Sequence, residues 1–556
     1  MSSQAAGWLQ FALLVAALAA CYVPLGNYIA HIFTTDQDWR VERFVFRLMG
    51  IDSKADQRWS TYVRSILAFS AVSVLFLYGF ERLQHFLLLS EGMPNVPSAT
   101  AWNTAASFVT NTNWQNYAGE STMGYLTQMT GLTVQQFMSA AVGLVVAIAM
   151  IRGFTRSRTN KLGNFWVDVT RAVFRLLLPL AVIGAVVLVA GGVIDNFHAY
   201  QTVQTLTHAH QTIPGGPVGS MEVIKEMGNN GGGFFNTNSA HPFENPNGFT
   251  DLFEIFIILL IPFATPRAFG KMVGDNKQGY ALVVVMVIIW AAAVGGISFF
   301  EAHPAIGNAT AAHLAHGAYE GVETRFGGPA CSVFAASTTT TSTGAVNCFH
   351  DSLTPFGGGI AVFDMALGEV APGGIGAGMY GLLILAIVTV FVAGLMVGRT
   401  PEYLGKKIRP VEMKYAALYF LATPVLVLAA AGLSVGTHAG QAAIFNPGPH
   451  GLTEVIYAFA SMGNNNGSAF AGLGSAAGWY QTLGGIVMLL SRFAPEIFAL
   501  ALAGSLARQQ PVPASTGTLD TRTPLFVGMV VGVTLVLVGL TYFPALALGP
   551  FAEGLH

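Results

Sequence analysis

Four short polar turns interrupt an otherwise apolar chain of 556 residues. They read TNTNWQ at 110–115, GNNGGGFFN at 228–236, TTSTGAVN at 340–347 and SMGNNNGSAF at 461–470. Glycine lets a backbone aim successive carbonyl groups inward, while asparagine, threonine and serine brace such turns or add side-chain oxygens. The turns contain no carboxylate, which argues against a divalent-cation site. The residue types instead predict a site where neutral oxygens replace the water around a monovalent cation.

The turns recur at a nearly even spacing. Their centres at Thr112, Asn230, Thr343 and Asn466 are 118, 113 and 123 residues apart, which predicts one unit built four times. Exposed backbone of this kind is tolerated at membrane depth only where it is buried or lines a wet cavity. Four such turns around one axis would form a ring of oxygens.

The composition is that of a multi-pass membrane protein. The chain is 53% hydrophobic and 10% charged, with a mean hydropathy of +0.55, whereas a soluble domain carries about 25% charged residues. Ten apolar segments are long enough to span, since about 20 residues cross the hydrocarbon. They are 8–29, 63–90, 133–151, 173–194, 252–270, 280–300, 360–398, 415–435, 480–505 and 524–546. The net charge of −2 gives no indication of a nucleic-acid partner, and we expect none.

The basic residues define the orientation. Connections on one side of the predicted membrane hold 22 of the 26 Lys and Arg residues, while the connections that contain the turns hold only Lys225 and Arg325. The positive-inside rule therefore predicts that the four turns and both termini face outward.

The apolar segments and turns divide the chain into six parts. A first helix with a basic inner loop (1–62) is followed by repeat 1 (63–172), repeat 2 (173–279), repeat 3 (280–414), repeat 4 (415–508) and an exit helix with its linker (509–556). A helix too short to span precedes each turn, and its carbonyl end would favour a cation there. These short helices are predicted at 98–110, with Ser98 as N-cap, and at 220–227, 332–341 and 453–461. The return segment of repeat 3 is predicted to be broken within 364–378, which holds Pro372 and clustered glycines.

Several charged and sulfur-containing residues leave alternatives open. Arg492 lies inside an apolar segment and needs compensation. Glu369 is its candidate partner, and the alternatives are Glu496 or solvated headgroups. Asp168 is expected to be a solvated end charge. Cys331 and Cys348 flank the third turn, where a disulfide is possible although merely packed thiols are commoner.

Longer motifs carry a family resemblance over essentially the whole chain. They are TNTNWQ, NNGGGFFN followed by HPFENP at 241–246, GRTPEYLGKK at 398–407, NPGPHG at 446–451 and NNNGSAFAG at 464–472. The chain resembles the channel-like A subunit of the bacterial Kdp potassium-importing ATPase. The resemblance implies an all-α membrane fold of ten transmembrane helices, with four helix–pore loop–helix repeats in a pseudo-fourfold, potassium-channel-like arrangement.

The resemblance also implies a potassium filter entered from the periplasm. Transferred by motif, its positions are Asn111, Thr112, Asn113, Asn229, Asn230, Gly231, Ser342, Thr343, Gly344, Asn465, Asn466 and Gly467. Gln115 matches the family's ion-selectivity glutamine. A register shifted by one residue would pair Gly232, instead of Gly231, with Gly467. The broken stretch, with Gly373 and Gly374, would block the direct path below the filter, so that Glu369 and Arg492 become candidates for gating or ion exit.

The chain has no G-x-x-x-x-G-K-[ST] or Asp-Lys-Thr-Gly sequence, and its inner loops are short, so we expect no nucleotide binding and no catalytic residues. Uphill transport would then need the partners that the resemblance implies: a P-type ATPase catalytic subunit (KdpB) and single-span subunits (KdpC and KdpF), in the lipid of a bacterial inner membrane. Two other functions remain open. One is a stand-alone potassium channel or cation symporter of the four-repeat class, and the other is a membrane scaffold.

Overall fold

The computed structural model describes residues 3–304, 318–368, 370–398, 401–513 and 518–555. Within these ranges, ten helices are long and apolar enough to cross a membrane. They are Ala5–Thr34 (of the helix Ser3–Thr34), Trp59–Arg82, Thr127–Thr155, Phe165–Ala190, Gly248–Met272, Asn276–Ala302, Ala377–Met396 (of Ala377–Val397), Pro410–Gly436, Gly478–Arg508 and Pro524–Leu555. Three of them include π-helical turns, at Thr127–Thr133, Ala172–Leu177 and Ala547–Phe551. The predicted number of spanning helices is confirmed.

A shorter helix precedes each polar turn, as predicted. These pore helices, numbered 1 to 4 in chain order, are Ser98–Val109, Val218–Met227, Gly328–Thr340 and Gly448–Gly463. With 10 to 16 residues at about 1.5 Å each, they are shorter than the roughly 30 Å of hydrocarbon. One detail of the prediction is wrong: Pro97 is the N-cap of pore helix 1, and Ser98 is its first helical residue. Proline has no backbone N–H, so the N-cap position of this helix has no donor left without a partner.

The remaining elements are small. Short helices are Arg40–Met49, Gly119–Thr122, Pro355–Ala366, His438–Gln441 and Ala552–Leu555, with 3₁₀ turns at Gln84–Phe86, Asn238–Ala240 and His350–Ser352. Among the described residues, three antiparallel two-stranded ribbons pair Gln57–Arg58 with Lys161–Gly163, Gln201–Gln204 with His210–Ile213, and Glu402–Tyr403 with Lys406–Lys407.

In each repeat, the spanning helix that follows the turn (the inner helix) is buried more deeply than the spanning helix that precedes the pore helix (the outer helix). In the first repeat, 94% of the apolar stretch of Thr127–Thr155 is buried, against 28% for Trp59–Arg82. The same order holds for the other three repeats, whose inner helices are Gly248–Met272, Ala377–Val397 and Gly478–Arg508. Each inner helix therefore has more of its apolar surface against protein than the outer helix of the same repeat has. They surround the turns, and the outer helices present their apolar surface outward.

The return segment of the third repeat is broken, as its proline and glycines predict. Pro355–Ala366 ends, an irregular stretch follows, and Ala377–Val397 begins after Gly376. The stretch contains a cis Ala371–Pro372 peptide and positive φ angles at Gly368, Gly373 and Gly376. Segment 360–398 is therefore two helices rather than one.

Buried ion pairs hold the side of the protein that carries most of its basic residues, so the expectation for Asp168 is wrong. Asp168 is 2% exposed and accepts hydrogen bonds from both terminal nitrogens of Arg152, at 2.6 and 2.9 Å, and from the Tyr62 hydroxyl at 3.0 Å. In the same region, the Arg175 Nε donates to buried Glu42 at 2.5 Å and fixes the amphipathic helix Arg40–Met49. Buried carboxylates of this kind require such partners.

Cys331 and Cys348 form a disulfide. The bond joins the start of pore helix 3 to the loop after the third turn, with 5.7 Å between the Cα atoms. The sequence left two alternatives open, a disulfide or two packed thiols. The structure has the disulfide, although packed thiols are commoner.

Candidate functional site

Each pore helix ends at the beginning of its turn, and pore helices 1, 2 and 4 accept a hydrogen bond from the turn near their last residues. The amide of Thr112 donates to the Ser107 carbonyl at 2.9 Å. The equivalent bonds run from Asn230 to Lys225 at 2.9 Å and from Asn466 to Ser461 at 2.8 Å. The partial negative charge of a helix C-terminus is thereby held next to the turn.

The turns share an unusual backbone conformation. Positive φ angles occur at Asn111, Asn229 and Asn465, and again two residues later at Asn113 (55°), Gly231 (80°) and Gly467 (101°); the third turn has Gly344 at 82°. A chain that alternates between right- and left-handed residues turns successive carbonyl groups to one side, and glycine adopts the left-handed state at least cost. The shared conformation makes Gly231, rather than Gly232, the equivalent of Gly467.

The four turns contact one another in a closed order, which we call the ring. A Cβ added at Gly231 would collide with the Thr343 carbonyl oxygen, and one added at Gly344 with that of Asn466. A Cβ at Gly467 would likewise collide with the Thr112 carbonyl oxygen, and one at Gly232 would come within 2.8 Å of the Asn113 Cβ. Each turn thus touches the next, and the fourth returns to the first. The structure brings all twelve sequence-predicted filter residues together in this ring.

Side-chain amides brace the ring across repeats. Asn111 Nδ2 donates to the Asn229 carbonyl at 2.7 Å, and Asn229 Nδ2 donates to Thr343 Oγ1 at 3.0 Å. Asn465 Nδ2 donates to Thr112 Oγ1 at 2.9 Å. These side-chain amides hold neighbouring turns together at fixed positions. In the third repeat, Ser342 stands at the position that Asn111, Asn229 and Asn465 occupy in the other repeats.

A cavity of about 660 Å³ lies on one side of the ring, which we call its outer side. Its lining includes the third residue of each predicted filter triplet, namely Asn113, Gly231, Gly344 and Gly467, and also Gln115. Gln115 Nε2 donates to the Gly233 carbonyl at 3.0 Å, which joins the first turn to the second. Beside this contact, the Gly232 carbonyl accepts from Gln136 Nε2 at 2.7 Å. The arrangement is a wide vestibule that narrows to the ring.

The broken segment lies directly against the inner side of the ring. Gly373 N donates to the Thr340 carbonyl at 2.9 Å, and a Cβ added at Gly374 would collide with the Ser342 side chain. On its other side, Gly376 packs against the Gly143 backbone of the first inner helix. The segment therefore crosses beneath the ring from the third turn to the first repeat.

A smaller cavity of about 150 Å³ leads sideways from this point. It is lined by Ser342 and Asn465 of the ring, by Arg492, and by Leu421, which is 56% exposed at the protein surface. Arg492 Nε pairs with Glu496 at 2.8 Å, one of the alternatives that the sequence left open. Glu369 lies outside the described residues, so its pairing with Arg492 stays a prediction.

A buried ion cluster behind pore helix 2 was missed at the level of sequence. Lys225 is fully buried, and its Nζ lies 2.7 Å from Glu222, 3.4 Å from Glu226 and 3.0 Å from Glu244. Burial acts to lower the pKa of Lys225, but the neighbouring carboxylates outweigh it and raise that pKa well above its ordinary value. Burial raises the pKa of Glu226 to about 7, against the opposing effect of Lys225. The spacing of Glu222, Lys225 and Glu226 on one short helix was the available signal.

The cluster is connected to the ring through Asn238. Lys225 Nζ donates to Asn238 Oδ1 at 2.9 Å, and Asn238 Nδ2 donates to the Gly231 carbonyl at 2.6 Å. Glu244 Oε1 accepts from the Phe235 amide at 2.7 Å. The loop after the second turn therefore orients a ring carbonyl, and Asn238 and Lys225 are positioning residues for the site.

Comparison with known proteins identifies relatives over the full length. The sequence model of the family described as "Potassium-transporting ATPase A subunit" matches residues 12–555. A "Potassium-transporting ATPase potassium-binding subunit" of Mycobacterium avium is 56% identical over 561 residues, covering 100% of both chains. The protein of that name from Mycolicibacterium vanbaalenii is 58% identical over 566 residues, again covering 100% of both.

Among solved structures, the crystal structure of the potassium transporter TrkH from Vibrio parahaemolyticus is similar in fold. The TM-score is 0.52 at 16% sequence identity, over 90% of this chain and 97% of that chain. The comparison agrees with the predicted all-α membrane fold.

Proposed function

The chain belongs to the potassium-transporting ATPase A subunit family, and on that premise we propose that its ring of four turns binds potassium for an ATP-driven importer. The closed order of the turns supports this proposal most directly, because each turn lies against the next and the neutral carbonyl oxygens of Thr112, Thr343 and Asn466 lie at their contacts. A monovalent cation loses its hydration shell only where oxygens replace the water, and such a ring supplies them. The carbonyl groups of Thr112, Asn230, Thr343 and Asn466 are the proposed ligands.

The vestibule is the proposed entrance. The concentration of basic residues on the other side of the membrane supports a periplasmic vestibule, with both termini periplasmic and the chain in the bacterial inner membrane. Gln115, at the wall of the vestibule, is proposed to contribute to ion selection through its bond to Gly233. We also propose that the six parts with boundaries at 62, 172, 279, 414 and 508 are the organisational units of the chain.

Potassium is proposed to leave the ring sideways. The broken segment, with Gly373 and Gly374, lies across the direct inward path, and the smaller cavity runs from Ser342 toward the exposed Leu421. A helix of a neighbouring subunit at that surface would receive the ion. Glu369 and Arg492 are proposed to act on this exit, and Arg492 lines the cavity.

This chain is proposed to supply no catalytic residues and to bind no nucleotide. A P-type ATPase subunit (KdpB) would hydrolyse ATP, and single-span subunits (KdpC and KdpF) would complete the complex in the lipid bilayer. The similarity to a potassium transporter's fold favours one second candidate, a stand-alone potassium channel or symporter. Potassium flux through vesicles containing this chain alone would favour that candidate.

The test is potassium-stimulated ATP hydrolysis by the complex that co-purifies with this chain. Replacing Gly231 by Asp places a side chain against the Thr343 carbonyl and should abolish the stimulation. Gly274→Asp is the matched control, because Gly274 also has a positive φ (78°) but has open space around it. Equal stimulation in both variants would contradict potassium binding at the ring. If the chain is isolated without any ATPase subunit, the proposal that it works in an ATP-driven importer would be contradicted.

A further inference from the structure

Four ionisable side chains converge at the outer end of pore helix 4. His450 lies in the first turn of that helix, and Glu454 lies one turn further on. Asp351 comes from the 3₁₀ turn His350–Ser352, and Glu553 comes from the last short helix of the chain, Ala552–Leu555. Three separate parts of the sequence thus meet at one imidazole, away from the ring.

The distances suit a small metal ion. His450 Nε2 lies 3.2 Å from Asp351 Oδ1 and 3.9 Å from Glu454 Oε1, and one ligand atom from each of the three residues lies within 4.8 Å of the others. Tetrahedral zinc with bonds of about 2.0–2.2 Å to nitrogen and oxygen holds its ligand atoms roughly 3.3–3.6 Å apart. A small inward movement of Glu454 would complete three ligands of such a site.

The other imidazole nitrogen has the partner that a metal-bound histidine requires. His450 Nδ1 lies 2.9 Å from Glu553 Oε1, so that Nε2 is oriented toward Asp351 and Glu454. A metal-ligating histidine almost always donates its second N–H to a carboxylate, carbonyl or water, which fixes the ring and its tautomer. Glu553 fills this role from the short helix Ala552–Leu555.

Glu454 supplies an independent indication. The residue is fully buried, and its Oε2 has no hydrogen-bond partner among the described residues, whereas its Oε1 accepts from Asn446 Nδ2 at 2.6 Å. A buried carboxylate oxygen without a partner is costly unless a cation or proton satisfies it. Behind the cluster, a Cβ added at Gly472 would collide with Glu454 Oε1 and lie 2.9 Å from Asp351 Oδ2, so the backbone closes that side.

The cluster is open on its other side. The side chains of Asp351 and His450 are 12% and 24% exposed, so an ion from the outer solution can reach the buried carboxylate. We propose that Asp351, His450 and Glu454, with Glu553 behind the histidine, form a binding site for a divalent first-row transition metal of the zinc type. The site is separate from potassium binding and does not depend on it.

A metal here would fasten the outer end of pore helix 4 to repeat 3 and to the end of the chain. The connection to the ring is short. His450 stacks on Phe470 at 6.2 Å, and Phe470 stacks on Tyr457 at 4.0 Å. The Tyr457 hydroxyl bonds Ser468 Oγ at 2.8 Å, and Ser468 in turn bonds the side chain of Asn466 in the ring.

The test uses the purified complex, stripped of metal by a chelator and then titrated with zinc chloride. Bound zinc is measured by equilibrium dialysis, and the thermal midpoint is measured in the same samples. Wild type is expected to hold one more zinc ion per complex than Glu454→Gln does, and to gain stability on adding zinc. Because Glu454 is not the closest partner of His450, the substitution leaves the contacts of His450 with Asp351 and Glu553 in place.

Two further variants complete the design. Glu553→Gln should weaken zinc binding by about 10- to 100-fold while leaving all three ligands intact. The control is the double variant His208→Gln, His210→Gln on the exposed ribbon, which should bind zinc as wild type does. Equal zinc binding and equal stabilisation in wild type and Glu454→Gln would overturn the site. Absence of zinc binding by the wild-type complex at micromolar zinc would also overturn it.

Discussion

Gly467 of the fourth turn lies directly against the carbonyl oxygen of Thr112 in the first turn, leaving no room for a Cβ. The contact joins residues from opposite ends of the chain and closes the ring. A substitution here should disturb carbonyl oxygens that are proposed to hold potassium, without touching the outer helices.

Gly467→Ala is expected to raise the potassium concentration for half-maximal ATP hydrolysis by about tenfold or more, equivalent to about 1.4 kcal/mol of lost binding. The added methyl displaces the Thr112 carbonyl from the ring. Gly274→Ala has the same sign of φ with open surroundings, so it controls for backbone strain. The same potassium dependence in both variants would show that the Thr112 carbonyl group does not bind potassium.

Lys225→Met is expected to destabilise the complex by about 3–5 kcal/mol, because Glu222, Glu226 and Glu244 would lose their shared buried cation. Thermal unfolding in detergent measures the loss, with Lys277→Met at an exposed position as control. Adding Glu222→Gln to Lys225→Met should recover part of the stability. A Lys225→Met complex as stable as the control would mean that the cluster does not anchor pore helix 2.

Gln115→Ala removes the hydrogen bond to the Gly233 carbonyl at the wall of the vestibule. One neutral hydrogen bond contributes about 0.5–1.5 kcal/mol, so discrimination between potassium and rubidium is expected to fall by roughly three- to tenfold. The readout is ATP hydrolysis stimulated by each ion in turn. Gln211→Ala, on the exposed outer ribbon, is the control and should discriminate as wild type does. Unaltered discrimination in Gln115→Ala would exclude a role in ion selection.

The Cys331–Cys348 disulfide closes a loop with a sequence separation of 17 around the third turn. In the chain-entropy account, a loop of this size contributes about 3 kcal/mol, so the double variant Cys331→Ser, Cys348→Ser should unfold at a lower temperature. A reductant should lower the midpoint of wild type and leave the double variant unchanged. If the reductant lowers the thermal midpoints of wild type and the double variant equally, the loss of stability does not come from the disulfide.

His241 is expected to make the stability of the complex depend on pH in the acidic range. Its ring stacks on Phe235 at 3.8 Å, and its Nδ1 accepts from the Phe243 amide at 3.1 Å. Burial lowers the pKa of His241, and nearby Arg325 acts in the same direction, against Glu244. Because the unfolded chain then binds a proton more readily, the stability from neutral His241 is present above pH about 6.5 and is lost as the pH falls below it.

His241→Asn retains an acceptor for the Phe243 amide but cannot titrate, so its thermal midpoint should depend less on pH between 7 and 5 than that of wild type. Parallel pH profiles for the two proteins would assign the acid response to other groups.

The local features of the fold could be predicted from sequence because their signals are local. Glycine and asparagine define the turns, Pro372 and its glycines define the break, and apolar length defines the spanning helices. The i,i+4 spacing of Arg492 and Glu496 likewise made their pairing one of the alternatives considered.

Features that depend on tertiary packing could not be predicted. Asp168 is buried because Tyr62 and Arg152 enclose it, and no pattern near Asp168 indicates that Tyr62 will be there. In the sequence, Lys225 is one of two basic residues in the connections that contain the turns, and its buried partner Glu244 lies beyond the second turn. The bracing of the ring by amides across repeats also depends on how the four units pack.

The central claim is that the four turns hold potassium among their carbonyl groups. Crystals of the complex soaked in thallium(I), which substitutes for potassium and scatters anomalously, would test it most directly. An anomalous peak is expected on the axis of the ring, between the carbonyl oxygens of Thr112, Asn230, Thr343 and Asn466, and competing potassium should weaken it. An empty ring, with thallium bound only in the vestibule or elsewhere in the complex, would contradict it.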